Sequence, residues 1–427
     1  MGPEHYDLIV IGSGPAGEKG AAQAAYFGKR VALIEKQAVL GGAATNTGTL
    51  PSKTLRETAL FLSGFRHRQL EGLRLQRAEG AVTVRDFMAR ELIVRDGERA
   101  RILHNLGRHG IALHTGAASF LDPHTVAVQG ADGPATQLHA DVILIATGSR
   151  PHRPPGYSFE DIRIYDSDEV LNLHEVPATM VVVGGGVVGC EYACVFAALG
   201  VRVTLIEKND HLLGFLDLEI ATALIARMES VGVRVLMSET VAEVRDEGPL
   251  VQVRLASGEE IETNSILVSS GRNGNVEALD LDRAGLVAGK RGLIAVDEHF
   301  QTAVPHIYAA GDVVGFPALA STAMEQARVA MVHAFQLPYD KSVARILPYG
   351  IYTIPECSMA GETEESLTQS GVPYVVGRAR YADNPRGQII GDDHGFLKLL
   401  FRADDLTLLG VHVLGEQATE LVHVGLT

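Results

Sequence analysis

Cysteine is scarce in this chain: three of 427 residues, Cys190, Cys194 and Cys357. That number supplies no disulfide framework, and the spacing matches no zinc-binding set. Cys190 and Cys194, four apart on an expected helix, read as small core residues. Long apolar runs are missing too. No stretch reaches the length of a membrane-spanning helix, and the N-terminus lacks the basic-then-apolar order of a secretion signal. Residence in the cytoplasm is the expectation. Nor is positive charge in excess: Lys and Arg total 37 against 52 Asp and Glu, a formal net charge of −15. Such a balance argues against bulk nucleic-acid binding and against docking on anionic membranes. The local clusters at Arg66 and Arg68 and at Arg99 and Arg101 read as solvated helix faces or single phosphate contacts.

Glycine is what the chain has in quantity, 46 residues, in a sequence that is 46% hydrophobic. With its short strand-like runs, this composition indicates a soluble α/β protein of two to four domains. Its organising stretch is Asp7 to Gly17. An apolar run of strand length ends in Gly12-x-Gly14-x-x-Gly17 and passes directly into an alanine-rich helical pattern. In that context each glycine has a task. Gly12 allows a tight turn, Gly14 lets the backbone approach a pyrophosphate, and Gly17 lets helix and strand lie close. The unpaired N–H groups at the helix start then face the phosphate charge. The next strand, Arg30 to Glu35, ends in a carboxylate placed to accept from ribose hydroxyls.

Downstream, Gly41 to Gly48 reads as a flexible polar loop, and Ser52 as the N-cap of a helix opening at Lys53. Residues 64–80 read as an exposed excursion, and Phe87 to Leu106 as one long helix capped by Asp86. Ile111 to Ala140 reads as a small antiparallel meander. Asp141 to Gly148 is another buried strand ending in a glycine turn, and Pro151, Pro154 and Pro155 suggest a linker.

A second nucleotide fold begins at Met180. Gly184-x-Gly186-x-x-Gly189 repeats the strand–glycine–helix plan, and Val203 to Glu207 repeats the second strand with its terminal acid. The duplication implies two dinucleotides on one chain, with the chemistry between them. Two such sites and no zinc set suggest a flavin that meets a nicotinamide. Lys53, opening its helix, could present a cation to a flavin ring, and Glu191 lies just past the second glycine motif. They are candidate partners, with a surface salt bridge as the plainer reading.

The ensemble resembles the two-dinucleotide-binding-domain flavoproteins, the class I pyridine nucleotide-disulfide oxidoreductases. The matching segments are Ile11 to Gly17, Gly41 through Lys53, Ala146 to Gly148, Gly184 to Glu191, and Ala309 to Asp312, so the likeness covers essentially the whole chain. The resemblance implies an FAD-binding domain (1–150 and 271–345), an NAD(P)-binding domain (151–270), both Rossmann-like, and a C-terminal α+β interface domain (346–427) that makes a homodimer. It places FAD against Gly12, Gly14, Gly17, Glu35, Lys53 and Asp312, and counts Ala16, Lys36, Gly42, Thr47, Ala118, Thr147, Gly148, Gly271, Arg272, Gly311 and Ala320 among the cofactor-binding residues. It gives Gly184, Gly186, Gly189 and Glu207 to NAD(H) or NADP(H), and pairs Lys53 with Glu191 near the flavin's reactive edge. The family's interface domain continues beyond Thr427, so a C-terminally shortened domain is expected. His412 and His423 read as satisfied structural histidines.

The departures narrow the activity. The disulfide members of the family carry two cysteines where this chain has Ala44 and Thr49. Neither can form a thiolate, which excludes a dithiol relay at that position. The form Asn46 to Glu57, with Tyr165 to Asp168 and Gly350 to Glu356, is similar to the soluble pyridine nucleotide transhydrogenases. The implied reaction is hydride transfer from NAD(P)H to the flavin N5 and on to a second NAD(P)+. Glu207 suits a ribose diol and repels a 2′-phosphate, a repulsion Lys208 partly offsets, so NADH is expected to be the better substrate. Two other readings fit the same residues. One is a diaphorase reducing quinones or dyes, the other a redox-responsive binding protein that keeps FAD structurally.

Overall fold

The computed structural model describes residues 4–63, 82–339 and 341–427. The excursion expected over 64–80, with Arg66 and Arg68, lies outside them. The chain divides into two compact units. The first comprises Met1–Pro51, Glu91–His152 and Arg272–Ala344, the second Ser52–Arg90, Arg153–Gly271 and Arg345–Thr427.

In the first unit five strands run parallel in the order Ala112–Thr115, Val31–Glu35, Glu4–Ile11, Thr136–Ile145, Ile307–Ala309. The strand Thr136–Ile145 is shared. Its C-terminal half pairs with Ile307–Ala309, and its N-terminal half pairs with the antiparallel strand Thr125–Gln129, which in turn pairs with Ala117–Asp122. Leu8 and Val10 face one core with helices Pro15–Tyr26 and Ala320–Ala334, while Ile9 and Ile11 face another. Gly20 lets helix Pro15–Tyr26 lie close on the sheet, since a Cβ there would lie 2.5 Å from the Leu144 side chain. The meander expected from Ile111 is corrected at its start. Ala112–Thr115 is the outermost parallel strand, and as an edge it alternates between half-buried and exposed residues, so no apolar run marks it.

The second unit repeats the parallel plan in the order Val233–Leu236, Arg202–Ile206, Thr179–Val183, Ser265–Val268, Ile164–Asp166. A three-stranded antiparallel sheet is formed by Val241–Arg245, Val251–Leu255 and Glu260–Thr263. The C-terminal part is a five-stranded antiparallel sheet ordered Tyr349–Ile351, Glu356–Gly361, Leu408–Gly415, Phe396–Arg402, Tyr374–Arg380. Helix Val187–Ala198 is buried without a break from Gly189 onward, and Cys190, Cys194 and Cys357 share its core. Burial pushes the Cys194 and Cys357 thiols up to about 12 and raises Cys190 well above the usual thiol value.

Three local expectations change. Gly42–Asn46 is a short helix rather than loop; Gly41 caps it at φ 101°, and the Asn46 amide donates to the Leu40 and Gly42 carbonyls. Helix Thr49–Ser63 starts before Ser52, so Ser52 is no cap; Pro51 sits in the first turn, where a missing N–H costs nothing. Helix Val84–Arg108 is capped by Thr83, not Asp86. The Thr83 hydroxyl accepts from the Asp86 N–H at 3.2 Å and donates to the Asp86 carboxylate at 2.6 Å. Arg99 and Arg101 on this helix pair with Asp96 and Asn46 and with Glu98 and Glu18. Among the described residues no helix is long and apolar enough to cross a membrane.

Candidate dinucleotide sites and the Lys53–Glu191 pair

In the first unit the glycine turn has the geometry its spacing predicts. Gly12 has φ 105°, and a Cβ on it would lie 2.4 Å from the Ala146 carbonyl oxygen. At Gly17 a Cβ would lie 1.8 Å from the Gly12 carbonyl oxygen, an impossible contact. Gly14 is different. Its missing Cβ would meet only the Gly42 Cα at 3.9 Å, so the space before it is open. There the helix Pro15–Tyr26 begins with no side-chain cap, leaving its first N–H groups for an outside acceptor. Ala16 is buried behind the turn, where the bare Gly311 packs on it; a Cβ on Gly311 would stand 3.3 Å from Ala16.

Around this turn stand the other assigned residues. Glu35 is buried; its Oε2 accepts from the Ser13 N–H at 3.0 Å and hydroxyl at 2.6 Å, and its Oε1 from the Gln37 N–H at 2.9 Å. Lys36 beside it is exposed. The Gly116 N–H donates to the Glu35 carbonyl, and Ala118 follows, buried and paired with Val128. Thr47 closes the short helix by donating to the Ala43 carbonyl. Thr147 and Gly148 follow the central strand, and nothing fills the space a Gly148 Cβ would take. Asp312 accepts from the Ser149 hydroxyl at 2.7 Å, and that hydroxyl accepts from Arg272 Nε at 2.7 Å. Ala320 opens a second helix that lacks a side-chain cap. Ser13 and Ser149 escaped notice in the sequence. The only signal for Ser149 is the register Gly274↔Ser149, which tertiary pairing alone reveals.

The second unit carries the same turn. Gly184 again has φ 105°, and a Cβ on Gly189 would lie 1.9 Å from the Gly184 carbonyl oxygen. Gly186 faces open space and starts an uncapped helix at φ −78°, ψ −175°, close to the −65°, −178° of Gly14. Glu207 is buried and accepts from the Gly185 N–H at 2.5 Å, the Asn209 N–H at 2.8 Å and the Asn209 amide at 2.6 Å. Lys208 is exposed, and Gly271, at φ 105°, ends this segment. Both turns therefore keep the cradle a pyrophosphate needs, with a fixed acid at the following strand end.

Lys53 and Glu191, 138 residues apart, meet in the second unit. Lys53 Nζ lies 2.8 and 2.7 Å from the two Glu191 oxygens, and the Tyr352 N–H donates to Glu191 Oε1 at 3.0 Å. The carboxylate side chain is 5% exposed and the lysine 26%, which is not a surface salt bridge. Ser52 donates to Glu191 at 3.3 Å, and the Tyr352 ring lies 4.9 Å from the ammonium. Buried Arg56 braces the same segment through the Thr353 carbonyl at 2.9 Å and Glu356 at 3.2 Å. The histidine expectation divides. His412 is buried and held by the Glu362 carbonyl through Nε2, although its Nδ1 has no partner among the described residues. His423 is exposed on helix Ala418–Leu426, where its side chain is left to solvent rather than satisfied inside the fold.

Two duplicated dinucleotide cradles followed by an antiparallel C-terminal sheet define a pyridine nucleotide oxidoreductase of the double-Rossmann class. Family comparison makes this specific. The pyridine nucleotide-disulphide oxidoreductase model matches residues 6–327, and the dimerisation-domain model of that family matches 347–426. The chain belongs to the pyridine nucleotide-disulphide oxidoreductase family. It is 48% identical over 421 residues to a soluble pyridine nucleotide transhydrogenase of Mycobacterium bovis, covering 98% of this chain and 90% of that protein. A soluble pyridine nucleotide transhydrogenase of Marinobacter nauticus is 42% identical over 431 residues, with 100% and 91% covered. Among solved structures, the HOCl-induced flavoprotein disulfide reductase RclA of Escherichia coli superposes with a TM-score of 0.88 at 28% identity, covering 98% of this chain and 92% of that one.

Proposed function

We propose that this chain is an FAD-dependent pyridine nucleotide transhydrogenase that works without a redox-active disulfide. FAD belongs to the first cradle and NAD(H) or NADP(H) to the second. Residues 1–150 and 271–345 then serve the flavin, 151–270 the nicotinamide dinucleotide, and 346–427 the contact between two subunits. The observation that carries the reading is Ala44 and Thr49 in a chain whose three cysteines are all buried with raised thiol pKa values. No residue at those two positions can relay electrons to a disulfide, so a diffusible carrier must collect them.

When bound, FAD supplies the hydride-accepting chemistry, and the protein supplies placement and charge. Open space at Gly14 and Gly186 admits a pyrophosphate to each uncapped helix start. Glu35 and Glu207 accept ribose hydroxyls. Lys53 is the cation assigned to stabilise negative charge on the reduced ring. Glu191, itself held by the Tyr352 N–H, fixes the Lys53 ammonium in place.

A steady-state comparison of NADH with thio-NAD, thio-NADP and a quinone panel tests the proposal. Transfer to the thio-nucleotides should be the most efficient; quinones outrunning both by tenfold would replace it with a diaphorase. NADH should exceed NADPH as donor, and a tenfold preference for NADPH would overturn the role given to Glu207. Replacing Lys53 by Ala should leave flavin bound yet slow its reduction by roughly 10²-fold, the usual cost of one lost stabilising group. Unchanged stopped-flow bleaching in that variant would remove Lys53 from the chemistry.

A further inference from the structure

The two strand-end acids are held alike but spent differently. Each carboxylate has about four acceptor positions, two per oxygen. At Glu35, Oε2 takes both Ser13 donors and is full, while Oε1 takes the Gln37 N–H and keeps one position. At Glu207 the distribution is reversed. Glycine at 185 offers no hydroxyl, so Oε2 takes a single N–H and keeps one position. Oε1 takes the Asn209 N–H and the Asn209 side-chain amide and is full. A serine at 185 to match Ser13 would crowd its neighbours, because a Cβ there would lie 2.4 Å from the Leu212 Cδ2 and 3.0 Å from Glu207. The third donor of the second site therefore comes from Asn209, on the opposite oxygen.

We infer that Asn209 is a specificity-determining residue of the nicotinamide dinucleotide site, setting how strongly the site distinguishes a ribose diol from a 2′-phosphate. The inference rests on the assignment of Glu207 to the ribose. The side chain of Asn209 is not required to fix the carboxylate, since two backbone N–H groups already hold one oxygen each at 2.5 and 2.8 Å. Its effect is to occupy an acceptor position. With it in place Glu207 has room for one hydroxyl, and the amide dipole reduces the charge presented to a phosphate. Asn209 is exposed, so it meets the ligand from the solvent side of the acid.

Removing the amide should therefore tighten binding of the diol and sharpen rejection of the phosphate. The measurement is calorimetric titration of the flavin-loaded protein with NAD+ and with NADP+, for wild type, Asn209→Ala and Glu207→Gln. Asn209→Ala should raise the ratio of NAD+ to NADP+ affinity by about three- to tenfold, the scale of one ordinary net hydrogen bond. A ratio unchanged or lowered overturns the inference. Asn209→Ser, which restores a short donor, should bring the ratio part of the way back. The Glu207→Gln arm separates the two claims. If it leaves NAD+ affinity intact, the ribose assignment itself is wrong; if it weakens NAD+ while Asn209→Ala leaves the ratio unmoved, only the role of Asn209 is lost.

Discussion

Lys398 is 1% exposed in the second unit, and its ammonium touches three carboxylates: Asp217 at 2.6 Å, Glu364 at 2.5 Å and Glu219 at 2.9 Å. Asp217 is fully buried, caps helix Leu218–Ser230 through the Glu219 N–H, and accepts from the Glu364 N–H at 3.2 Å. The ammonium occupies the space in which these acids could otherwise gather a cation. Replacing Lys398 by Met keeps the volume and removes the charge, leaving Asp217 buried and uncompensated. Breaking a buried pair in this way costs about 3–5 kcal/mol. At roughly 2–4 °C per kcal/mol for a body of this size, thermal unfolding of the flavin-loaded protein should fall by about 10 °C. Circular dichroism at neutral pH reads the shift, and a fall of less than about 2 °C would show that the ammonium contributes no more than a surface pair. The acid limb offers a second readout. Arg378 first, then Lys398, depress Glu219 to about 2. A depressed carboxylate contributes stability above its ordinary value of 4.5 that is lost as pH falls toward 2. In Lys398→Met that loss should be shallower.

The remaining predictions concern both cradles, one histidine and the thiols. Gly17→Ala should yield colourless protein with no bound flavin, whereas Gly189→Ala should stay yellow and lose NADH binding; absorption spectra and NADH titration separate them. His306 stacks on His124 with ring centroids 3.7 Å apart, and burial, with its neighbour's charge, lowers its pKa from 6.5. A depressed histidine favours the fold above 6.5 and opposes it as pH drops through the lowered value. The melting temperature should thus decline as pH falls from 6.5 to the lowered value and level off below it, and His306→Gln should flatten the decline. Native protein should expose no thiol to a colorimetric disulfide reagent until denaturant is added, and thiol alkylation should leave hydride transfer intact. Rapid reaction of even one cysteine would contradict the burial of Cys190, Cys194 and Cys357.

The sequence was most legible where a few adjacent residues decide the backbone. Glycine turns are local, because Gly12 and Gly17 collide with their own neighbours if a Cβ is added, and the strand and helix around them announce their periods. Edge elements were harder. Ala112–Thr115 carries no apolar run since only part of it is buried, and the cap at Thr83 and the helix start at Thr49 lie a few residues before the expected positions because several polar candidates stand together. Of the site, the glycines and terminal acids could be read directly, whereas Lys53 and Glu191 could be named only as candidate partners beside the plainer reading of a surface salt bridge, because nothing local records how deeply the pair is buried.

Two strand–glycine–helix turns, their order along the chain, and the absence of a thiol at Ala44 and Thr49 are all legible without the fold. Those are matters of residue type and short spacing. Tertiary structure decided what the polar groups do. It brings Lys53 to Glu191 across 138 residues and Ser149 to Arg272 across 123, and it buries Lys398 among acids from two other segments. It also settles which oxygen of Glu207 remains open. The physical reason is that hydrogen bonds to a carboxylate depend on approach within about 3 Å. That distance is set by packing of elements far apart in the chain, and no local pattern records it.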